Sequence, residues 1–255
     1  MRSWSTLICL LMSLAVNAAE TSIEGPECPP LAPINKNAVA TSSGFPRLAK
    51  IVPSSASADT FVPNGWNLEK KIEGDLNGDG IPDLVLLLRK NDPKNIVTTE
   101  EDGCPALVDT NPRILAVAFG QKSTGKYVLV LQNQTLIPRN DLPPPDEALV
   151  HLWDPLGSIS IVRGTLRVSL AHGSDRDSNI SKETYTFRYL KGCFQQIGYD
   201  SREIDTKGSG SETSINYLTK KEKISSHSGS QTHVESKTLP DAPLLCIDEI
   251  NQPEK

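Results

Sequence analysis

The chain has 255 residues, a formal charge of −5, and hydrophobic and aromatic shares of 37% and 5%. The mild acidity disfavours nucleic acid and anionic membranes as partners, since both are bound through clustered cations. The length suits one sizeable domain or two small ones, and 19 Pro, 17 Gly and few candidate helices predict a mainly β chain with long loops.

Residues 1–19 read as a signal peptide: Arg2 is the charged start, Leu7 to Val16 the apolar segment, and Val16-Asn17-Ala18-Ala19 the cleavage region. The apolar stretch is shorter than the ~20 residues of a membrane span. Ile8 before Cys9 argues against a lipoprotein, which wants a small residue there. The expected location is periplasmic or secreted, with no membrane span, and loss of Arg2 takes the charge from −5 to −6. Four cysteines then remain, Cys28, Cys104, Cys193 and Cys246, with no CxxC pair among them. In an exported chain they predict two disulfides. Sequence does not choose among the three connectivities, and the pairing favoured is Cys28 with Cys104 and Cys193 with Cys246.

Residues 20–60 form a Pro-rich arm with room for a short helix around Arg47 to Ile51. Phe61 and Trp66 are expected as core anchors before a strand at Asn67 to Ile72. Next comes Gly74 to Arg89, GDLNGDGIPDLVLLLR, where residue spacing implies specific chemistry. Calcium takes six to eight oxygens, and alternate positions of a tight loop can aim side chains at one centre. The candidate ligands are the side chains of Asp75, Asn77, Asp79 and Asp83 and the Ile81 carbonyl, with Gly80 permitting the turn. Position twelve, Glu in an EF-hand, is Leu86, so Asp83 takes the closing role and the affinity expected is about 10⁻⁴ to 10⁻³ M. The alternative is an Asp/Asn/Gly turn without metal.

These residues resemble the calcium loops of FG-GAP and VCBS repeats, found in integrin-like β-propellers. The motif occurs once, and a propeller needs about four or more blades. The resemblance therefore implies the loop and its ligands without the propeller.

Asn91 to Pro112 reads as a charged loop carrying Cys104 and the run Glu100-Glu101-Asp102. Arg113 to Gly120 and Lys126 to Gln132 read as a hairpin, followed by an irregular connection through Pro143-Pro144-Pro145. Two further hairpins are expected about Arg163-Gly164 and Lys191-Gly192, because glycine at the second turn position accepts positive φ. Between them, Asp175, Asp177 and Asn179 have the spacing of half a calcium loop but lack the following glycine, which favours a plain turn. A last hairpin is expected at Thr213 to Leu218 and Glu222 to Ser225. Residues 226–255 are read as a loose tail that docks back through Leu244-Leu245-Cys246. The fold expected over 61–225 is an antiparallel sheet of consecutive hairpins with one calcium-loop-to-strand unit.

The order GDLNGDGIPDLVLLL, DPLGSISIVRGTLRV, YTFRYLKGCFQQIGYD and SETSINYLTKKEKI is also similar to small exported bacterial proteins with one VCBS-like segment, a group without established activity. The similarity runs from about Trp66 to Ser225 and implies fold and location rather than function.

None of His151, His172, His227 and His233 lies in HExxH, and GxSxG, P-loop and GxGxxG patterns are absent. His172, ending a strand beside an acidic loop, is the best catalytic candidate. The expectation is a noncatalytic, calcium-stabilised periplasmic protein that binds another protein, an inhibitor or immunity protein being one form. The alternatives are a carbohydrate or cell-wall binder and a structural envelope component.

Overall fold

The computed structural model describes residues 49–101, 104–140, 154–173, 179–205 and 209–250, with the backbone alone at 99–101, 172, 173 and 179. The described residues are mainly β, in antiparallel sheets, none closed into a barrel or propeller. The first sheet comprises β1 (Ser54–Ser55), β2 (Trp66–Gly74), β3 (Asp83–Lys90), β6 (Arg113–Gln121) and β7 (Lys126–Asn133), in the order β1-β7-β6-β3-β2. The second runs in chain order from β8 (Leu156–Val162) through β9 (Thr165–Gly173), β10 (Asn179–Leu190), β11 (Cys193–Asp205), β12 (Gly210–Asn216) and β13 (Lys221–Ser228) to β14 (Gln231–Thr238). β4 (Ile96–Glu101) and β5 (Cys104–Asp109) form a separate ribbon.

The apolar run Leu84 to Leu88 does not alternate because β3 is covered on both faces. Val85 and Leu87 join Leu115 and Val117 of β6 in a core shared with Leu166, Val168 and Leu170 of β9, and with Phe187 and Phe194. Leu84, Leu86 and Leu88 join Ile114, Ala116 and Ala118 in a second core closed by Ile51 and Phe61. The first sheet is thus the middle layer, between the 51–62 segment and the second sheet. Each fully buried leucine of β3 contributes roughly 2 kcal/mol of transfer free energy.

The turns behave as glycine spacing predicts. Arg163-Gly164 and Lys191-Gly192 lie at φ of 50°, 71°, 52° and 89°, the paired left-handed conformation that matches strand twist. The flanking hairpins form at the expected places, although β10 and β11 run far beyond the expected ends. The hairpin at Arg113 to Gly120 and Lys126 to Gln132 is present as β6 and β7.

Three expectations are corrected. Ala49 to Ile51 is not helical; Ile51 packs on β3 and β6, while Arg47 and Leu48 lie outside the described residues. Residues 91–112 are not simply a charged loop, since Ile96–Glu101 and Cys104–Asp109 pair as β4 and β5, with Val97 buried. Residues 226 onward do not start a loose tail, because β14 pairs along the whole of β13. Cys246 does dock, through a disulfide to Cys193 and a bridge to Gln195, and it brings Ile247 and Ile250 into the main core. Cys104 is also disulfide-bonded, to a residue outside the described ones, where Cys28 and the 1–19 segment lie as well.

Candidate functional site

The Asp75–Asp83 loop joins β2 to β3. Gly78 and Gly80 lie at φ of 83° and 77°, where any side chain would be strained, so the turn expected at Gly80 is present. The loop's backbone donors are met by its own side chains. Asp75 Oδ1 accepts the N–H of Gly78 at 2.7 Å and its Oδ2 that of Gly80 at 2.9 Å. Asn77 Oδ1 accepts from Asp79 N at 2.9 Å, and Asp79 Oδ1 accepts from Ile81 N at 2.8 Å. The Gly80 and Gly78 donors hold the Asp75 carboxyl below its ordinary range, outweighing the opposing effect of desolvation.

Asp83 differs. Its side chain is wholly buried, with Oδ2 accepting the N–H of Leu76 at 2.8 Å and Oδ1 that of Gly120 at 3.0 Å. Burial pushes its carboxyl upward against those two donors, and the charges of Asp79 and Asp75 push the same way. Asp83 therefore anchors the loop to the end of β6. The loop lies so close to β6 that a Cβ on Gly120 would sit 2.5 Å from the Pro82 carbonyl oxygen.

A ring of carboxylate and amide oxygens is the donor set calcium prefers. Each carboxylate oxygen here takes one N–H and keeps a further acceptor position. Asp75 and Asp79 remain on the solvent side and Asp83 on the core side, while Ile81 sits between them in sequence. Among the described residues no three His, Cys, Asp or Glu side chains are grouped closely enough to hold a metal ion. The oxygen chemistry fits calcium; the spacing in this conformation is that of a self-satisfied turn.

A cluster that sequence reading missed ties the first sheet to β5 and to the chain entering β8. Arg113, 4% exposed in its side chain, donates from Nε and Nη2 to Glu69 at 2.8 and 2.9 Å, and from Nη1 to Asp154 at 2.7 Å. Arg89 bridges Glu69 at 2.6 Å and Asp109 at 3.1 Å. Burial raises the Glu69 carboxyl, against the pull of Arg89. These partners are 20 to 65 residues apart in sequence, so no local pattern announces them.

The other candidates do not converge. His151, Asp102, Asp175 and Asp177 lie outside the described residues, and His172 is the penultimate residue of β9. His227 and His233 occupy adjacent strands but successive register rows, opposite Thr232 and Ser226, and so opposite faces. His227 Nδ1 meets Thr232 Oγ1 at 3.1 Å.

Past the core, β10 to β14 continue as an open platform. Its root is a tyrosine–carboxylate group: Tyr185 and Tyr199 each donate to Glu183 at 3.0 Å, and burial beside the Glu183 charge pushes Tyr199 up to about 12. No residue of β12, β13 or β14 belongs to either core cluster, and every residue of β14 is exposed. The hairpin expected at Thr213 to Leu218 and Glu222 to Ser225 is present as β12 and β13, while β14 was missed because it carries polar residues on both faces.

Comparison with protein-family models, curated proteins and solved structures finds no match.

Proposed function

We propose that this chain is a noncatalytic exported protein that binds another protein across the β12–β14 platform, with calcium at the Asp75–Asp83 loop as a stabiliser. The observation that carries the binding reading is the platform itself. Three strands continue the sheet one after another, β12 bonded to β11, β13 to β12 and β14 to β13, yet add nothing to the core, and they offer a broad polar surface on a stable base. Polar surfaces of this kind suit partners met in solution, whose interfaces are about as polar as the rest of a protein surface. Inhibition of an incoming toxin is one role such a surface would serve.

The Cys193–Cys246 disulfide supports an oxidising compartment, and with the charged and apolar opening of the sequence it supports export. The oxygen-rich loop supports calcium, and through Gly120 its ordering would reach β6 in the middle layer. The large aromatics Phe61, Phe187 and Phe194 are fully buried, leaving them no part in stacking on a sugar.

The test is capture of partners from periplasmic extract with the oxidised full chain, in calcium and in chelator, followed by backbone amide exchange on the complex. The reading expects one stoichiometric protein and slowed exchange within 210–238. Protection confined to other strands, or no captured protein under either condition, overturns it.

A further inference from the structure

We infer that the outer edge of β14 is a self-recognition strand, which pairs antiparallel with β14 of a second copy about a two-fold axis at Val234. β14 ends the second sheet, hydrogen-bonded to β13 alone among the described strands. Its direction of free hydrogen bonding follows from register. The Leu239 N–H donates to the Lys220 carbonyl at 2.8 Å, so the 239/220 pair is a hydrogen-bonded one. Alternation along an antiparallel ladder then turns the backbone groups of Gln231, His233, Glu235 and Lys237 toward β13 and those of Thr232, Val234, Ser236 and Thr238 outward.

A second copy can meet the outward groups only in registers that set these even-numbered residues opposite one another. Centring on Val234 places Val234 against the partner's Val234 and Thr232 against the partner's Ser236 as hydrogen-bonded pairs. The intervening pairs, whose side chains approach more closely, are then His233 with the partner's Glu235 and Gln231 with the partner's Lys237. Each contact occurs twice by symmetry, and the overlap covers Gln231 to Lys237. Val234, 50% exposed, gains an apolar neighbour on the other face.

The competing registers are worse. Centring midway between Val234 and Ser236 sets Glu235 against the partner's Glu235, a like-charge contact. Centring on Ser236 sets Glu235 against the partner's Lys237, which is already paired with Glu222 at 2.9 Å, and shortens the overlap within β14 to 234–238, since Pro240 has no N–H to extend it. Centring on His233 also shortens the overlap and opposes two imidazoles. Overlap length, avoidance of the Glu235–Glu235 contact and the His233–Glu235 donor–acceptor pair therefore select one register, and its two-fold self-complementarity fits one occupant, a second copy of this chain.

The pairing is independent of the platform's binding of a different protein. Strand-edge contact buries less than the ~1,000 Å² of a stable interface, so reversible association with Kd of about 10 µM to 1 mM is expected. Sedimentation equilibrium on the full oxidised chain measures it. Glu235→Lys should weaken association about tenfold or more, because both symmetric pairs lose the carboxylate that accepts from the partner's imidazole. His233→Glu with Glu235→Lys restores the complementarity and should return Kd to within about threefold of wild type. Val234→Pro removes an outward N–H that bonds to none of the described residues, and should abolish association, with circular dichroism reporting the fold. A wild-type monomer at about 1 mM, or association indifferent to Glu235→Lys, overturns the inference. So does uptake of an extended segment of another protein along 232–238 by a wild-type chain that stays monomeric. A Glu235→Lys chain that is monomeric yet still captures a partner separates this inference from the binding reading.

Discussion

Asp83 and Gly120 are joined by an N–H···O bond of 3.0 Å at a point where the loop and β6 come too close for any side chain on the glycine. Gly120→Ala must therefore displace the Pro82 carbonyl and should cost about 2 kcal/mol or more of stability. Asp83→Ala leaves the Leu76 and Gly120 N–H groups buried without their acceptors and should cost about 2 to 4 kcal/mol. Urea unfolding checks both; a loss under about 0.5 kcal/mol for either contradicts the anchoring role.

The two loop carboxyls should titrate on opposite sides of the ordinary aspartate value. Asp75, held low by the Gly80 and Gly78 donors, contributes stability present above its unfolded pKa and lost as pH falls through the lower folded one. Asp83, held high by burial, acts in the reverse sense: its charged form is disfavoured in the fold, so its contribution improves as pH falls through the raised value and worsens above it. Carboxyl-carbon NMR titration should show Asp75 below and Asp83 above about 3.9. Asp75→Asn should also lessen the loss of stability below about pH 4.

Calcium binding at the loop predicts a melting temperature that rises with calcium in the wild type and stays flat in Asp79→Ala. At 100 times its dissociation constant, calcium would add about 2.7 kcal/mol, a shift readily seen in a melt. Equal calcium responses in the two chains would leave the loop as a metal-free turn, its side chains serving only Gly78, Gly80, Asp79 and Ile81.

Glu69→Ala should be more harmful than its own 28% side-chain exposure suggests, since it removes two of the acceptors of buried Arg113. An expected cost of about 2 to 4 kcal/mol follows from leaving that charge half-compensated. Replacing Glu69 and Arg113 together by Met should recover part of the loss in urea unfolding, because no stranded charge remains. A double variant no more stable than Glu69→Ala argues against this account.

Cys246→Ser should free the segment that seats Ile247 and Ile250 in the main core. With the cysteines 53 positions apart in sequence, loss of the bridge should cost about 2 to 5 kcal/mol, and faster amide exchange should begin around Gln195 and Gln196. Unchanged exchange there would mean that the segment docks without its covalent tie.

Local chemistry in the sequence determined the turns and the buried strands. Arg163-Gly164 and Lys191-Gly192 specify tight hairpins because glycine accepts positive φ, and the runs at Leu84 to Leu88 and Ile114 to Ala118 specify strands that must be covered. Gly80 and the Asp/Asn spacing likewise specified a tight, self-bonded loop. Tertiary structure alone decided that Asp83 points to Gly120, that Arg113 meets Glu69 and Asp154, and that QTHVESKT is a strand. Periodicity reports a strand only when one face is buried, and β14 has no such face; what orders it is the row of backbone groups offered by β13. Charged pairs distant in sequence leave no local pattern, so their partners become visible only once both sheets are in place.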